Sequence, residues 1–351
     1  MLISFYDKNM NIIPDNSSLV IDGKSYSLIK RGVDFDSLKC ECEPYTADIQ
    51  PTFIVVKSDI GRYIYAALAG LPEKTAENKT VINAADIKTM LNSDVLLDYS
   101  TYSTVEQIIE YILAQWNTQV NQNSFAVEIG YKNFASIDVT DFAPVPGKGI
   151  YNAWEQIQEI LRFYKLYIYS ELNIVDKKVV FTVGKAMTRN INIKLWELGV
   201  ENFGRWIANI NETQGYIKYT DKVSGTETWT PLTKWIITSA NQITSNVANR
   251  DIYPIKRKLI LKETDNADEI TKLTNEANIE ALKALTESMY QENIEINAPQ
   301  FIADLDAQFS IYTRQGGTLY KTLPCGELHY DASGLKKIQI GYRFQGLEFI
   351  S

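Results

Sequence analysis

Cys325 and His329 are the residues whose types could perform chemistry, because a thiolate and an imidazole both bind metals and can act as nucleophile and base. They lie four residues apart in the stretch CGELHYD, and His329 is the single histidine of the chain. On an extended strand both side chains would point to one face but stand about 13 Å apart, at about 3.3 Å per residue. The sequence therefore predicts neither a metal pair nor a catalytic pair. We interpret His329 as a partly buried bystander without a partner, at the rim of a β-hairpin turning at DASG.

No other motif defines an enzyme. The sequence has no GxxxxGK[ST] loop and no GxGxxG opening a helix. Gly147 and Gly149 precede a predicted helix, but no buried strand leads into them, which favours a structural turn over an anion site. A glycosidase needs only two acids about 5–10 Å apart, and the acidic stretches 138–141 and 304–306 are interpreted as loop acids facing water. We therefore predict a protein that is not an enzyme, with no catalytic residues, no metal site and no cofactor.

Composition indicates a globular chain with extensive aromatic surface. Hydrophobic residues make up 45%, the formal net charge is −8, and no basic stripe marks a nucleic-acid binder. Cys40 and Cys42 are spaced to share one face of a strand and are predicted to be buried structural thiols. No apolar run reaches the ~20 residues of a membrane span, and the first residues lack secretory-signal features. The 11% aromatic content favours strands and large protein interfaces.

Three segments are predicted to be helical. STVEQIIEYILAQW opens with a capping box of Ser103 and Glu106 and carries apolar residues at helical spacing. YNAWEQIQEILRFY, followed by the strands LYIYSEL and KVVFTVG, predicts a helix–hairpin module. The longest helix is predicted over 264–292, with Asn266 and Glu269 as a capping pair. Its apolar stripe indicates ordinary core, with contact to a partner helix as the alternative.

Both ends of the chain predict β-structure. SLVIDGKSYSLIKR is predicted to form a hairpin whose tight turn uses a positive φ at Gly23. PTFIVVKSD and GRYIYAALAG predict two further strands. At the other end LKKIQIGYRF alternates strictly, with Ile338, Ile340, Tyr342 and Phe344 on one face. The order is thus β, then mixed α and β, then β again, which predicts an α+β fold.

Four stretches carry a resemblance to a known family. They are GRYIYAALAGLPE, the stretch NAADIKTMLN of an AxDIKxxLN kind, the late charged helix, and the closing hairpin LPCGELHYDASGLKKIQIGYRF. These stretches resemble the baseplate hub proteins of long-tailed bacteriophages, including the N-terminal module of the tail-associated lysins, or tail tip proteins. The resemblance covers essentially the whole chain, and no catalytic signature defines it.

The resemblance implies a multi-domain α+β fold with β-barrel-like tube domains and α+β lateral domains. Residues 1–100 would be a first tube-wall β-domain and 101–190 a lateral α+β domain. Residues 191–296 would be a second β-domain containing the long helix 264–292. Residues 297–351 would be a C-terminal β-segment that completes the tube-wall domain.

The function implied by the resemblance is structural. Three copies would form a homotrimeric ring that continues and closes the tail tube and opens for DNA ejection. The expected partners are the distal tail protein and the C-terminus of the tape-measure protein, and the resemblance also admits receptor-binding proteins. DNA would pass without specific binding, as the negative charge favours, and no membrane span is expected. Such a protein is made in the host bacterial cytoplasm and resides in the virion, at the tail tip or baseplate. Because the sequence ends soon after the last predicted strand, we expect a hub without an appended lysin.

Other classes stay open at this point. Tyr and Trp side chains that stack on sugars would suit a carbohydrate-binding receptor-recognition tail protein. Paired carboxylates would suit a peptidoglycan hydrolase. The spike hub of contractile injection systems shares the hub fold, so the sequence does not separate it from a phage tail protein.

Overall fold

The computed structural model describes residues 1–70, 72–98, 102–122, 124–132, 137, 148–185, 189–194, 200–206, 210–239, 242–253, 255–288, 291–297, 303–312 and 319–341. The strands are β1 (Leu2–Tyr6), β2 (Leu19–Val20), β3 (Ser27–Arg31), β4 (Ser37–Cys42), β5 (Phe53–Lys57), β6 (Tyr63–Leu68), β7 (Glu73–Lys74), β8 (Thr80–Ala85), β9 (Asp94–Asp98), β10 (Ala126–Lys132), β11 (Lys148–Asn152), β12 (Leu166–Asn173), β13 (Lys178–Lys185), β14 (Arg189–Lys194), β15 (Val200–Trp206), β16 (Glu212–Thr220), β17 (Glu227–Ile237), β18 (Ile243–Thr244), β19 (Arg257–Thr264), β20 (Gln291–Asn297), β21 (Ala307–Tyr312), β22 (Leu319–Asp331) and β23 (Gly334–Ile340). The α-helices are α1 (Val105–Trp116), α2 (Ala153–Tyr164) and α3 (Ile270–Ser288). Short 3₁₀ helices cover Pro14–Asn16, Ile87–Leu91, Val247–Asn249 and Ala267–Glu269, and a π-helical turn covers Asn117–Asn121. None of the helices in these ranges is long and apolar enough to cross a lipid bilayer.

A large sheet joins the two ends of the chain. Its strands are neighbours in the order β15-β20-β23-β22-β3-β4-β8-β6-β5-β1-β2, with β21 beside β22, β14 beside β21, and β7 beside β8. β22 and β3 are antiparallel, with His329 opposite Ile29 and Tyr330 opposite Leu28. The C-terminal hairpin is therefore part of the sheet that the N-terminal strands build. Several sheets beside a few helices confirm the predicted α+β class, and in the described ranges no sheet closes into a barrel.

The prediction of a hairpin at Gly23 is wrong. β2 pairs with β1, whereas β3 pairs with β4 and β22, and Gly23 does not have a positive φ. The Asp22 carboxylate accepts a hydrogen bond from the backbone N–H of Lys24 at 3.0 Å, and the N–H of Ser25 donates to the Asp22 carbonyl at 3.0 Å. Such a turn, built by an aspartate side chain, needs no left-handed residue. β3 thus pairs with β4, which follows it in the chain, and with β22 from the other end of the chain, instead of with β2.

The hairpin predicted at DASG is confirmed. Asp331 lies opposite Gly334, which has a φ of +121°. That region of φ favours glycine, because a Cβ would be strained there. Ile338 and Ile340 are fully buried, as their alternation predicts, while the predicted positions from 342 onward lie outside the described residues.

β5 separates two hydrophobic cores because both of its faces are buried. Ile54 and Val56 pack into a core with residues of β1, β4 and β8. Phe53 and Val55 pack into a second core that includes α1, α2, β12 and β13. Hydrophobic packing is therefore continuous across the boundary predicted at residue 100. The predicted domain limits remain a prediction.

The first two helices follow the predicted apolar spacing. The predicted apolar residues of α1 are all buried, namely Val105, Ile108, Ile109, Ile112, Leu113 and Trp116. The capping box lies one residue later than the predicted Ser103 and Glu106. The Thr104 side chain accepts from the N–H of Gln107, and the Gln107 side chain accepts from the N–H of Thr104. Thr104 has the extended backbone of an N-cap, with φ −125° and ψ 150°, so the helix begins after it.

The helix–hairpin module is also present. β12 and β13 pair antiparallel from Leu166 opposite Lys185 to Asn173 opposite Lys178. β10 lies parallel to β13 on its other side, which makes a three-stranded sheet. α2 buries its apolar face against this sheet and α1.

The longest helix begins later than predicted. β19 continues to Thr264, and the 3₁₀ helix follows before α3 starts. Asn266 caps that 3₁₀ helix by accepting from the N–H of Asp268, not through a pair with Glu269. The parallel pairing of β19 with β16 explains the shift, because residues fixed in a ladder cannot be helical. Met289 lies outside the described residues.

Candidate functional site

The four-stranded sheet of β18, β17, β16 and β19 has one covered face and one open face. α3 covers one side, where Ala277 and Ala281 pack against Ile217 and Ile260. Because successive side chains alternate between the faces of a strand, the remaining residues share the other side. This open face consists of Glu212, Gln214, Tyr216 and Lys218 of β16, Glu227, Trp229, Pro231 and Lys234 of β17, and Arg257, Leu259, Leu261 and Glu263 of β19.

Apolar side chains form the middle of the open face. Trp229, Leu259 and Leu261 are 52%, 54% and 43% exposed. Tyr216 lies between them, opposite Leu261 on one side and Pro231 on the other. Large apolar groups clustered on an exposed surface indicate a site of interaction, whereas scattered ones do not.

Glu212 is the centre of an ion cluster at one end of the open face. Only 3% of Glu212 is exposed. Its carboxylate lies 2.9 Å from Nε of Arg257 and 3.8 Å from Nζ of Lys234, and it also pairs with the guanidinium of Arg250. A nearly buried carboxylate needs such compensation. The cluster ties β16, β17 and β19 to the segment before β19.

Lys218 is the centre of a second ion cluster, at the other end of the open face. Its ammonium lies 2.9 Å from Glu227, 3.9 Å from Glu263 and 5.6 Å from the centroid of the Trp229 ring. The strands of the open face therefore hold three carboxylates and three cationic side chains, and Arg250 beside them adds a fourth cation. Each of these cations pairs with a carboxylate, which leaves none of them unpaired for phosphate groups.

The four-stranded sheet is open at both edges in the part of the chain that the structure describes. β19 pairs with β16 alone, and β17 pairs with β18 only at Ile236 and Ile237. Residues 227–234 of β17 consequently have no strand on the side away from β16. Open strand edges accept another strand unless something blocks them.

A second cluster of charged residues is buried. Lys88 is 0% exposed, and its ammonium lies 3.2 Å from Asp36 and 3.1 Å from Asp86. It also donates hydrogen bonds of 2.8 Å to the carbonyl oxygens of Arg31 and Asp34. We call Asp36, Asp86 and Lys88 the buried junction.

The buried junction connects the N-terminal strands to the helix–hairpin module. The Lys88 ammonium reaches the carbonyl oxygen of Ile168 at 3.4 Å, and the Ser170 hydroxyl donates to Asp86 at 3.1 Å. Burial, together with the negative charge of Asp86, raises the pKa of Asp36 to about 6, although Lys88 opposes the shift. One lysine thus faces two buried aspartates, and the repulsion between their carboxylates makes Asp36 harder to ionise.

The stretch NAADIKTMLN, which carries part of the family resemblance, builds this junction. Asp86 caps the short helix Ile87–Leu91 by accepting from the N–H of Lys88 at 2.9 Å. Ile87 and Leu91 are fully buried. Sequence reasoning found the stretch but missed that its lysine is buried. Asp36 lies fifty residues away in no motif, so no local signal could identify it.

His329 has a hydrogen-bond partner. Its Nε2 lies 2.9 Å from the carboxylate of Glu327, which also accepts from Nε of Arg31 at 3.1 Å. Burial raises the pKa of Glu327, but the hydrogen bonds and charges of His329 and Arg31 outweigh it and hold that pKa below its ordinary value. The predicted rim position is confirmed, because the His329 side chain is 30% exposed. The prediction that it has no partner is wrong.

Cys325 and His329 lie on opposite faces of β22, so the same-face prediction is also wrong. The pairing with β23 shifts between Cys325 and Glu327, where Gly326 forms a bulge. A Cβ on Gly326 would overlap the carbonyl oxygen of Gly341. The extra residue reverses the alternation, so Cys325 enters the core while Glu327 and His329 share the other face. Burial holds the pKa of the Cys325 thiol far above its ordinary value.

Cys40 and Cys42 are buried thiols on one face of β4, as predicted. Both are free cysteines, 0% and 2% exposed, in the core of the first strands. Burial raises the pKa of each thiol to about 12. Neither is therefore a thiolate at neutral pH.

The remaining sequence candidates form no chemical centre in the described ranges. Gly149 lies in β11 and not in a turn, because it pairs opposite Leu97 of β9. Asp304 is exposed, as expected for a loop acid. Gly147 and the acidic stretch 138–141 lie outside the described residues. Nowhere in the described ranges do three or more metal-ligating side chains converge.

Comparisons with known proteins give structural matches only. No family model matches the sequence, and no curated protein matches it. The crystal structure of prophage tail protein gp18 from Listeria monocytogenes EGD-e superimposes with a TM-score of 0.51 at 12% identity, covering 99% of this chain and 96% of that one. The half-lidded Francisella PdpA–VgrG complex gives 0.48 at 10% identity, with 100% of this chain and 59% of that chain covered. The 43 kDa tail protein of prophage MuSo2 from Shewanella oneidensis gives 0.43 at 13% identity, with 93% and 95% covered.

The chain therefore has a phage tail-type fold over nearly its whole length. This assignment rests on gp18, because the other two superpositions are looser. Identity of 12% establishes the fold and leaves the role of this chain to its own surfaces.

Proposed function

We propose that this protein is a structural baseplate hub, or tail tip, of a long-tailed phage, and that it has no catalytic activity. In this role a trimeric ring continues and closes the tail tube and opens for DNA ejection. The observation that carries the proposal is the likeness to a prophage tail protein along 99% of the chain. The distal tail protein and the C-terminus of the tape-measure protein are the expected neighbours in the virion.

The open edges of the four-stranded sheet support a ring. Because β19 and the 227–234 arm of β17 lie on opposite edges, one copy can place its β19 beside the β17 arm of the next. Such head-to-tail contacts are heterologous, and they close into a ring when the rotation between copies allows it. Three copies are the number that the family resemblance implies.

The open face supports passage of DNA. In a ring joined through these edges, the open face and the α3 side become the two walls of the sheet. Duplex DNA carries one negative charge per about 1.7 Å, so a channel wall with excess cations would retard it. Each cation of the open face pairs with a carboxylate, so this face leaves none of them unpaired to hold phosphate groups.

Cross-linking tests the ring. Lys258→Cys on β19 and Thr230→Cys on β17 place thiols on two exposed positions of opposite edges. The native thiols are buried, so a short bis-maleimide reacts with the introduced ones. With the distal tail protein present, the double variant should yield a covalent trimer as the largest species on a denaturing gel.

The single variants are the matched controls, because a heterologous contact needs one cysteine of each kind. Each should give no trimer. A ladder of ever larger products would indicate an open filament instead of a ring, and efficient dimers from a single variant would indicate two-fold contacts. Monomers throughout, with the tail partner bound, would contradict the hub proposal.

One pocket favours carbohydrate binding as a second candidate function. A cavity of about 180 Å³ lies between β6, β12 and the segment before β21, with Tyr63 and Tyr169 in its walls and Glu171 and Lys132 beside them. Two aromatic rings beside charged side chains offer stacking and hydrogen bonds to a sugar, in a cavity smaller than the roughly 300 Å³ at which ordinary ligand sites begin. Saturable binding to host cell walls would favour this function if Tyr169→Ala abolishes it and Tyr253→Ala leaves it unchanged. Tyr253 is an exposed tyrosine outside the cavity. Equal behaviour of both variants would count against it.

A further inference from the structure

β9 and β11 form a two-stranded ribbon with unequal edges. On the outer side of β9, the side-chain amide of Gln119 accepts from the N–H of Leu96 at 2.8 Å and donates to its carbonyl oxygen at 3.0 Å. The Tyr111 hydroxyl accepts from the N–H of Asp98 at 2.9 Å. Side chains thus take the place of a third strand there, and this edge is closed.

The outer edge of β11 is open. This follows from the hydrogen bonds at the closed outer edge of β9. Both backbone groups of Leu96 point away from β11, because they bond to Gln119. In an antiparallel ribbon, opposite residues either exchange both hydrogen bonds or exchange none. Ile150, opposite Leu96, therefore directs its own N–H and carbonyl away from β9. Within the described residues neither group has a backbone partner.

Residues of β11 line a cavity whose chemistry is specific. Ile150 is 73% exposed, and Leu96 across the ribbon is 41% exposed. The cavity measures about 560 Å³ and lies between β11, α2 and α3. Its charged lining consists of Asp94, Glu155, Glu159, Glu276, Glu280, Lys262 and Lys283, which leaves a net charge of −3. Lys148, on the same strand, is not part of this lining.

We propose that the β11 edge binds an extended, basic peptide segment of another protein by strand addition. Main-chain hydrogen bonds at Lys148, at Ile150 and to the N–H of Asn152 hold the segment, since the Asn152 carbonyl accepts the first bond of α2. The alternate apolar side chains of the segment pack on Ile150, and its lysines or arginines face the acidic wall. Charge complementarity favours a basic partner over a second copy of this chain, which is acidic overall. This edge is additional to the ring contacts proposed above, so either proposal can fail without the other.

A synthetic peptide tests the proposal. The probe is a fluorescein-labelled peptide of about nine residues that alternates valine with lysine, since three outward positions of a strand pair with about five residues. Anisotropy with the full chain at about 0.05 M salt should show saturable binding that weakens as salt rises. The N–H of Ile150 should exchange with deuterium more slowly when the peptide is bound.

Ile150→Pro removes the outward N–H without breaking a bond to β9, and it should weaken binding about tenfold. Glu276→Gln with Glu280→Gln should weaken binding and reduce its salt dependence. The matched control is Glu73→Gln with Glu77→Gln, two exposed acids near β7, which should change neither. Circular dichroism checks that each variant folds. A probe N-methylated at alternate residues makes the same test on the unaltered chain, and it should bind about tenfold more weakly.

Several results would overturn the proposal. Unchanged affinity for Ile150→Pro and for the methylated probe would mean that the peptide is held by charge alone, elsewhere on the surface. Equal affinity for a valine–glutamate peptide would exclude a basic segment as the specific partner. Self-association of the chain that Ile150→Pro abolishes would make a second copy the occupant.

Discussion

The buried junction and the open face contain the same kinds of ions, but they differ in how far these ions are exposed to water. Lys88 and its two aspartates are almost inaccessible, whereas Lys218 and Glu227 on the open face are 20% and 49% exposed. Ions removed from water must satisfy one another fully, because each carries a large desolvation cost. Exposed ions share water and lose little when a partner leaves. The junction therefore fixes how the N-terminal strands meet the helix–hairpin module, and the exposed ion pairs of the open face can tolerate change.

The largest effect is expected at the buried junction. Lys88→Met keeps the length of the side chain but leaves Asp36 and Asp86 buried without a cation. We expect the free energy of unfolding to fall by about 3–5 kcal/mol. Urea denaturation followed by circular dichroism measures it.

Lys79→Met is the matched control for this substitution. Lys79 pairs with Asp22 at 2.8 Å, but its side chain is 36% exposed. Its loss should destabilise the protein far less than the loss of Lys88, because exposed ions are already solvated. If the two variants lost equal free energy of unfolding, burial would not determine how much an ion pair stabilises this protein.

An intermediate effect is expected at Glu212, the one nearly buried ion of the open face. Glu212→Gln leaves Arg250, Arg257 and Lys234 without their shared carboxylate. The free energy of unfolding should fall by about 2–3 kcal/mol, less than at Lys88 because the three cations still reach water. Glu227→Gln, at the exposed end, should change it by about 0.5 kcal/mol or less. A larger loss at Glu227 than at Glu212 would show that burial does not rank these ions.

Local patterns predicted most of the helices and hairpins correctly. The apolar face of α1, the pairing of β12 with β13, and the turn at DASG each depend on residues close in sequence. The errors arose where distant residues decide. β3 takes β22 as a partner instead of β2, from the other end of the chain.

The candidate sites were harder to predict for the same reason. The bulge at Gly326 depends on the backbone of Gly341, and it changed the face on which Cys325 lies. The buried junction unites Asp36 with Asp86 and Lys88 across fifty residues. The open face needed the parallel pairing of β19 with β16, which alternation within one strand cannot predict.

A smaller effect should separate two buried carboxylates by their response to pH. The pKa of Asp36 is raised in the folded state to about 6, so the folded state holds an extra proton between about pH 4 and 6, and stability from this group falls as pH rises through that window. The pKa of Glu327 is lowered, so its stabilisation is present above about pH 4.5 and is lost as pH falls below that value. Urea midpoints of the wild type, Asp36→Asn and Glu327→Gln between about pH 3 and 7 measure both slopes.

The stability of each variant minus that of the wild type, plotted against pH, should slope in opposite directions for the two variants. The difference should rise with pH for Asp36→Asn. For Glu327→Gln it should fall with pH, so this variant is least destabilised in acid. Two curves that both rise with pH would mean that burial dominates at both positions, and that His329 and Arg31 do not hold down the pKa of Glu327.

The smallest effect is expected at His329, on the rim of the same sheet. His329→Ala removes the hydrogen bond to Glu327 but leaves Arg31 in place as a partner. The free energy of unfolding should fall by about 1 kcal/mol. A double-mutant cycle with Glu327→Gln isolates the pair, and the coupling should account for most of that loss. Zero coupling would restore the view of His329 as a bystander, because its cost would then come from lost packing. Clear coupling would place it with the buried ions, which act on stability through a defined partner.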